Sequence, residues 1–386
     1  MSDVHLTDEQ RQLLDLVGDV ARERFAPRAA EDEAKSRFPR DALAHLGSLD
    51  LAGLPFGSEH GGGGQPYGVY LRVLEEVARA HVVVALSLSV HTLATWAVAS
   101  YAGDALAAEV LPRLTAGEWL GAYCLSEEGS GSDAAALTTR AEREGEVYVL
   151  NGTKAWVTHA GEADCYVVMV RTGEHKSRGV STLLVPADTP GISFPPRERK
   201  MGMAASPTGQ VVFTDARVPV ANRLGDEGEG FRIALAALDG GRLGIAACAV
   251  GLAQCALDHA VGYAGQRQQF GRPIGQFQGV AFMLADMATG VEAARALYRE
   301  AAARRDAGEP HGQHASMAKL FATDTAMRVT TDAVQVYGGY GYTTDYPVER
   351  LMREAKVMQI FEGTNQIQRV VISRGLLGSC SAATTA

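Results

Sequence analysis

The sequence predicts a multidomain α+β chain of three packing units. Residues 1–119 read as an all-helical N-terminal domain and 120–228 as a middle domain built on an antiparallel β-sheet or barrel. Residues 229–386 read as a C-terminal four-helix bundle. Three observations predict this plan. The first and last thirds carry long Ala-, Leu- and Val-rich stretches at helical spacing. The middle third breaks into short β-favouring runs separated by turn dipeptides. No helices of 10–15 residues alternate with those runs, which excludes a doubly wound parallel sheet.

The elements follow in order. Thr7-Asp8-Glu9-Gln10 has the pattern of a capping box, and Leu13, Leu14, Val17 and Val20 then form one buried stripe. Segments 67–80 and 81–101 continue as helices. Between them and the first helix, His60 precedes four glycines, Gly61 to Gly64. A phosphate loop needs Lys-Ser/Thr after its last glycine, whereas Gln65-Pro66 follow here, so the run reads as a flexible surface loop. Strands are expected at Val147–Leu150, Cys165–Val170, Val180–Val185 and Gln210–Thr214. Asn151-Gly152, Thr172-Gly173, Pro190-Gly191 and Pro195-Pro196 supply the turns. Beyond 229, segments 230–265, 279–307, 311–337 and 347–360 are helical, with Pro347 at a first helical position.

Composition excludes several function classes. The 36 basic and 45 acidic residues give a net charge of −9, which excludes the basic face of a nucleic-acid binder. The most apolar run, Val82 to Val90, is shorter than the ~20 residues a membrane span needs, so no membrane span is expected. The start, Met1-Ser2-Asp3-Val4-His5, turns charged at once, and the five cysteines (124, 165, 248, 255 and 380) form no C-x-x-C. Both features lead to the expectation of buried free thiols and a cytoplasmic location. H-E-x-x-H, G-x-S-x-G and G-x-G-x-x-G are absent, so no metal site or nicotinamide fingerprint is expected. Glycine is the outlier, with 43 residues, about 11% against a usual ~7%. The fold therefore needs many close backbone approaches or left-handed turns.

Four segments carry chemistry. Tyr123 to Asp133 (Tyr-Cys-Leu-Ser-Glu-Glu-Gly-Ser-Gly-Ser-Asp) offers hydroxyls and backbone N–H groups to an anionic or carbonyl-rich ligand, or is an ordinary polar loop. Trp156-Val157-Thr158 places an aromatic after a turn, either over a planar cofactor or in the sheet core. Arg267-Gln268-Gln269-Phe270-Gly271, answered by Gln335 and Gly338-Gly339, suits a pyrophosphate, or is a surface arginine at a helix end. Phe361-Glu362-Gly363-Thr364-Asn365-Gln366 sets a carboxylate at the negative end of an apolar helix beside a glycine break. There its pKa rises into the range of a general base, unless the side chain is merely exposed.

Taken together and in this order, the four segments resemble the acyl-CoA dehydrogenase family of flavoproteins, over residues 7 to 378. The resemblance implies an FAD-dependent enzyme that converts an acyl-CoA thioester to a trans-2-enoyl-CoA. Glu362 would abstract the α-proton while the β-hydride goes to flavin N5. It also implies flavin contacts from Tyr123, Leu125, Ser126, Gly131, Ser132, Trp156, Val157 and Thr158, with Thr364, Asn365 and Gln366 closing the set. Arg267, Phe270, Gln278, Gln335, Gly338 and Gly339 would hold the pyrophosphate and adenosine of a neighbouring subunit's FAD. A homo-oligomer, usually a tetramer, follows from that. Ser132, Asp239, Arg242 and Gly363 match substrate contacts. Electrons would pass to an electron-transfer flavoprotein, within fatty acid β-oxidation or lipid metabolism. Some relatives carry the base at the position that is Gly241 here, so Glu362 has no rival. Glu128, His159 and Phe361 depart from the common pattern, His159 as a neutral neighbour. The alternative is an oxygen-using flavin oxidase or monooxygenase of the same fold.

Overall fold

A computed structural model describes residues 6–383, with side chains described to Gly378; the opening segment Met1–His5 and the Cys380 thiol lie outside the described residues. Six helices open the chain: α1 (Asp8–Val20), α2 (Ala29–Ala34), α3 (Arg40–Gly47), α4 (Tyr67–Ala80), α5 (Val82–Tyr101) and α6 (Asp104–Thr115). The capping box of α1 is formed in both directions, with Gln10 N donating to Thr7 Oγ1 (3.2 Å) and Thr7 N to Gln10 Oε1 (3.1 Å). That satisfies two of the N–H groups a helix start leaves open.

The glycine run is not a loose loop. Gly63 N donates to Gly53 O (3.2 Å) and Gly64 N to Phe56 O (2.7 Å). A Cβ at Gly62 would stand 2.2 Å from Phe56 O. The glycines are there because backbone lies on backbone, a close approach that any side chain would block.

The middle unit is an eight-stranded sheet with strands β1 (Gly121–Cys124), β2 (Arg140–Glu144), β3 (Val147–Thr158), β4 (Cys165–Arg171), β5 (Val180–Pro186), β6 (Ile192–Ser193), β7 (Thr208–Pro219) and β8 (Arg223–Leu224). The order is β6-β7-β3-β2-β4-β5-β8, with β1 attached to β4. Pairing is mainly antiparallel, but β1 runs parallel to β4, from Gly121↔Cys165 to Cys124↔Val168, and β2 meets β4 in parallel at Arg140↔Arg171. Strands β4 and β5 read as continuous apolar runs because both of their faces are covered. Tyr166, Val168 and Leu183 pack inside the sheet layer, while Val167, Met169 and Leu184 pack against Ala94, Val98 and Val110 of α5 and α6.

The last unit contains α7 (Gly230–Gln266), a short hairpin of β9 (Gln268–Gln269) and β10 (Arg272–Pro273), and α8 (Gln278–Asp306), α9 (Gly312–Tyr337), α10 (Val348–Met358) and α11 (Asn365–Ala383). Pro347 stands one residue before α10. One apolar core runs through α4, α5, α7, α8 and α9, joining the first and last units. Helices α5 and α7 are long and apolar enough to cross a membrane, with mean hydropathies of 1.8 and 1.6. Within those windows 89% and 78% of residues are buried in the protein. Counting only Val82 to Val90 therefore understates α5, which continues through buried His91, Thr92, Leu93, Ala94 and Thr95. The thiols of Cys124, Cys165 and Cys248 are buried and free, and Cys255 is half-buried.

Candidate active site

Glu362 sits in the turn between α10 and α11, with φ +55°, and Gly363 follows at +85°. Two successive left-handed residues reverse the chain, and Asn365 N donating to Gln359 O (3.0 Å) closes the turn. A non-glycine residue pays roughly 1 kcal/mol or more for that conformation, and such outliers collect at functional sites. Among the described residues no acceptor takes the Glu362 N–H, and its carboxylate Oε2 is buried with no hydrogen-bond partner. Burial pushes the Glu362 carboxyl up to about 7, against the pull of Arg242 and Lys319.

Four residues on three other elements face this carboxylate. Gly241 of α7 lies so close that an added Cβ would stand 2.6 Å from Oε2. Arg242, next along α7, is buried and paired with Asp239 (Nη1–Oδ1 2.6 Å), and its charge bears on Glu362. Tyr123 on β1 donates to Ala234 O (3.4 Å), and burial followed by the Glu362 charge holds its phenol far above its ordinary value. Tyr67, first residue of α4, donates to Gly240 O (3.0 Å) beneath the Arg305 guanidinium, which lies 3.5 Å from its ring centroid.

Sequence reading did not select Lys319 of α9. Its Nζ is buried and donates to Gly363 O (2.9 Å) and Asn365 Oδ1 (2.8 Å). The signal is present: Ala315, Ala318, Ala322 and Ala326 are the small apolar stripe of α9, and Lys319 interrupts it at helical spacing. Asn365 belongs to the same knot, with its amide donating to Thr323 Oγ1 (2.9 Å) and Asp324 Oδ1 (2.7 Å). Its side chain is therefore spent inside the protein, and the expected flavin contact from this segment falls to Thr364 and exposed Gln366.

Of the two readings of Trp156, the structure overturns the sheet-core one. A register shift between Lys154 and Val157 breaks the alternation of β3, and the indole turns outward, 62% exposed, with φ +59°. Val157 points into the sheet core, so only its backbone faces outward, and Thr158 is half-buried. The loop after β1 is bolted to this strand. Ala155 N donates to Ser126 O (2.9 Å), and Lys154 Nζ reaches Glu127 Oε1 (2.7 Å) and Leu125 O (3.2 Å). Thr138 and Thr139 also donate to Glu127. Burial pushes the Glu127 carboxyl up, but Lys154 and these donors bring it down to about 2. This Glu127–Lys154 pair was not singled out from sequence. His159 is buried, with Nδ1 on Gly121 O (3.0 Å), and burial lowers its pKa to about 3, so it is neutral as expected.

The expected nucleotide residues gather at the far end of α7. Arg267 caps α7 and lies over Tyr340 (5.6 Å to the ring centroid). With Gln269, Tyr337, Gly338 and Gly339 it lines a groove of about 490 Å³. Gln335 and Gln278 are exposed beside it, and Phe270, at the tip of the β9–β10 hairpin, is 94% exposed. From Arg242 to Gln266 the helix rises about 36 Å at 1.5 Å per residue, so this groove and the Glu362 turn are separate places on one chain.

These residues fit a flavin. A Cβ at Gly129, Gly131, Gly338 or Gly339 would meet no atom within 4 Å, so both glycine segments face open space. Ser126, Ser132 and Thr158 bring hydroxyls, and Trp156 a planar wall, beside the first of them.

Comparison with known proteins agrees along the whole chain. Models of the acyl-CoA dehydrogenase N-terminal, middle and C-terminal domains match residues 7–118, 122–216 and 228–377. An acyl-CoA dehydrogenase of Bacillus subtilis (strain 168) is 46% identical over 377 residues, 97% of this chain and 100% of that protein. The solved butyryl-CoA dehydrogenase of Megasphaera elsdenii superposes with TM-score 0.95 at 40% identity, covering 97% of this chain and 99% of that one. A chain solved in work on the electron transferring flavoprotein of Acidaminococcus fermentans and flavin-based electron bifurcation gives TM-score 0.95 at 41% identity, with the same coverage. Matches that run through all three domains leave one assignment: the chain belongs to the acyl-CoA dehydrogenase family and is an FAD-dependent enzyme that dehydrogenates an acyl-CoA thioester.

Proposed function

We propose that Glu362 is the base that removes the α-proton of a short-chain acyl-CoA. The observation that carries this reading is the partnerless, buried Oε2 in a left-handed turn against Gly241. A carboxylate that no donor holds is free to take a proton, and a pKa near 7 matches that work at neutral pH. The open Glu362 N–H supplies a donor to the thioester oxygen, where enolate charge develops. Ser132, Asp239, Arg242 and Gly363 are the substrate side of this cleft, with Arg242 acting from its buried place beside the base. When bound, FAD supplies the two-electron acceptor for the hydride of the β-carbon. Ser126, Trp156 and Thr158 hold its ring, and Arg267, Phe270, Gln278, Gln335, Gly338 and Gly339 of a second copy hold its nucleotide end.

The short chain is supported by the butyryl-CoA dehydrogenase relative, and an electron-transfer flavoprotein as acceptor by the Acidaminococcus relative. Exposed Phe270 and Tyr342 beside the groove support a homo-oligomer, a tetramer in this reading. A cytoplasmic place in β-oxidation completes the proposal. The test is anaerobic addition of a panel of short- to long-chain acyl-CoAs to the FAD-loaded protein. Butyryl-CoA should bleach the flavin fastest, and Glu362→Gln should keep FAD and abolish bleaching. Normal bleaching by that variant would refute the base assignment.

A further inference from the structure

Lys319 is a cation fully buried in the alanine stripe of α9, and among the described residues no carboxylate pairs with it. Burying an ammonium is unfavourable unless its position is needed or its charge is answered. Two of its three donors are fixed, one on the carbonyl of Gly363 and one on the side chain of Asn365. Gln368 Nε2 supports the same stretch, donating to Gly363 O (2.8 Å) and Glu362 O (3.2 Å). Both carbonyls of the left-handed pair are thus held by side-chain donors, Gly363 O by Lys319 and Gln368 and Glu362 O by Gln368.

We propose that Lys319 is a positioning residue for the reaction: it clamps the Glu362–Gly363 turn through the Gly363 carbonyl and sets its positive charge behind the Glu362 carboxylate. The proposal rests on the reading of Glu362 as the base. Its electrostatic part depends on every group that faces the two side chains. Glu362 is faced by Arg242 of α7, itself paired with Asp239, by Lys319 of α9, by Tyr123 of β1, and by Tyr67 of α4 under Arg305. Lys319 is faced by Glu362, by Asp324 of α9 and by Arg242. Burial lowers the Lys319 ammonium to about 7, with Glu362 and Asp324 opposing the fall. Arg242 and Lys319 both draw the Glu362 carboxyl down against its burial. Removing Lys319 therefore leaves the carboxylate buried with one cation fewer, and its pKa moves up.

The alternative is that Lys319 only bolts α11 to α9 through Asn365. Three substitutions separate the two in the full-length, FAD-loaded protein. Lys319→Met removes donor and charge, Lys319→Gln keeps a donor without charge and is the milder change for folding, and Lys319→Arg keeps the charge. The readout without substrate is a pH titration of the protonated-carboxyl infrared band of Glu362, with Glu362→Gln as the blank. The midpoint should rise by about one pH unit in the Met and Gln variants and stay near wild type in Arg. In the dye-coupled assay at pH 7, kcat per bound FAD should fall roughly fivefold with KM little changed, and recover at higher pH. Wild-type midpoints in Met and Gln, with only thermal stability lowered, would overturn the proposal. A second measurement needs no change at Lys319. Its Nζ signal, followed by selective 15N-lysine labelling, should titrate with a midpoint that moves down in Glu362→Gln, and an unchanged midpoint would also overturn it. If the midpoint moves but no acyl-CoA bleaches the wild-type flavin, the base assignment fails and takes with it the role of Lys319 in the reaction. If bleaching is normal and the midpoint does not move, Lys319 alone is misassigned.

Discussion

The carboxylate of Glu362 rests against the bare Cα of Gly241, where a side chain beginning with Cβ would come within 2.6 Å of Oε2. The contact joins a turn after α10 to the middle of α7, and glycine alone leaves the carboxylate its place. Gly241→Ala should move the carboxylate and leave the helix intact, since Ala favours a helix over Gly by up to about 1 kcal/mol. We expect a kcat loss of about 100-fold, the scale of a misplacement near 1 Å, with FAD content and thermal midpoint unchanged. Steady-state assays and a melting curve on the same preparation check it. A drop in melting temperature that accounts for the lost activity would argue against displacement of the base.

The pH dependence follows from the burial of Glu362. With Glu362 as the proposed base, only the deprotonated carboxylate would accept the α-proton, and burial puts its pKa at about 7. Below that value kcat/KM should fall about tenfold per pH unit, and above it level off. A profile flat from pH 6 to 8 would show that another group takes the proton.

The loop after β1, which the proposal sets against the flavin, is held by the buried Glu127–Lys154 pair. Removing one partner leaves the other charge uncompensated, which costs about 3 kcal/mol. Glu127→Gln should lower stability by that order in urea titration, and FAD should dissociate more readily. The folded Glu127 pKa, about 2, lies below its ordinary 4.5. The contribution of the pair is therefore present above about pH 4.5 and is lost as pH falls toward 2. The variant's stability curve should converge on wild type in that acid range.

Phe270 is almost wholly exposed at the tip of the hairpin, beside the groove at the end of α7. If a second copy covers it, Phe270→Asp should weaken assembly by roughly tenfold or more. Flavin occupancy should fall with it. Sedimentation velocity and the flavin-to-protein absorbance ratio measure both. Unchanged mass with unchanged FAD would remove the hairpin from the interface.

Much of this was legible in the chain itself. The three-unit plan, the strands and the Glu362 turn show because each is written locally, in hydrophobic period or in turn residues. What escaped depends on partners far away in sequence. Nothing near Lys319 announces Gly363, 44 positions on, and nothing in Asn365 announces that its amide is consumed by Thr323 and Asp324. Trp156 was ambiguous because one register shift decides which face of the sheet it joins. The glycine run at 61–64 looked loose because the carbonyls it lies against, Gly53 and Phe56, are fixed by the fold and not by the run.

Helix α7 carries Gly241 and Arg242 at one place and ends at Arg267, with no break over Gly230–Gln266. Such a rod behaves as a ruler. One residue added or removed between Arg242 and Gln266 would turn its far end by about 100° and shift it by about 1.5 Å. The groove would then face a different direction relative to the Glu362 turn. The same insertion would also carry the buried run from Leu243 to Ala253 out of its place in the core, so the length of this stretch is as constrained as its packing.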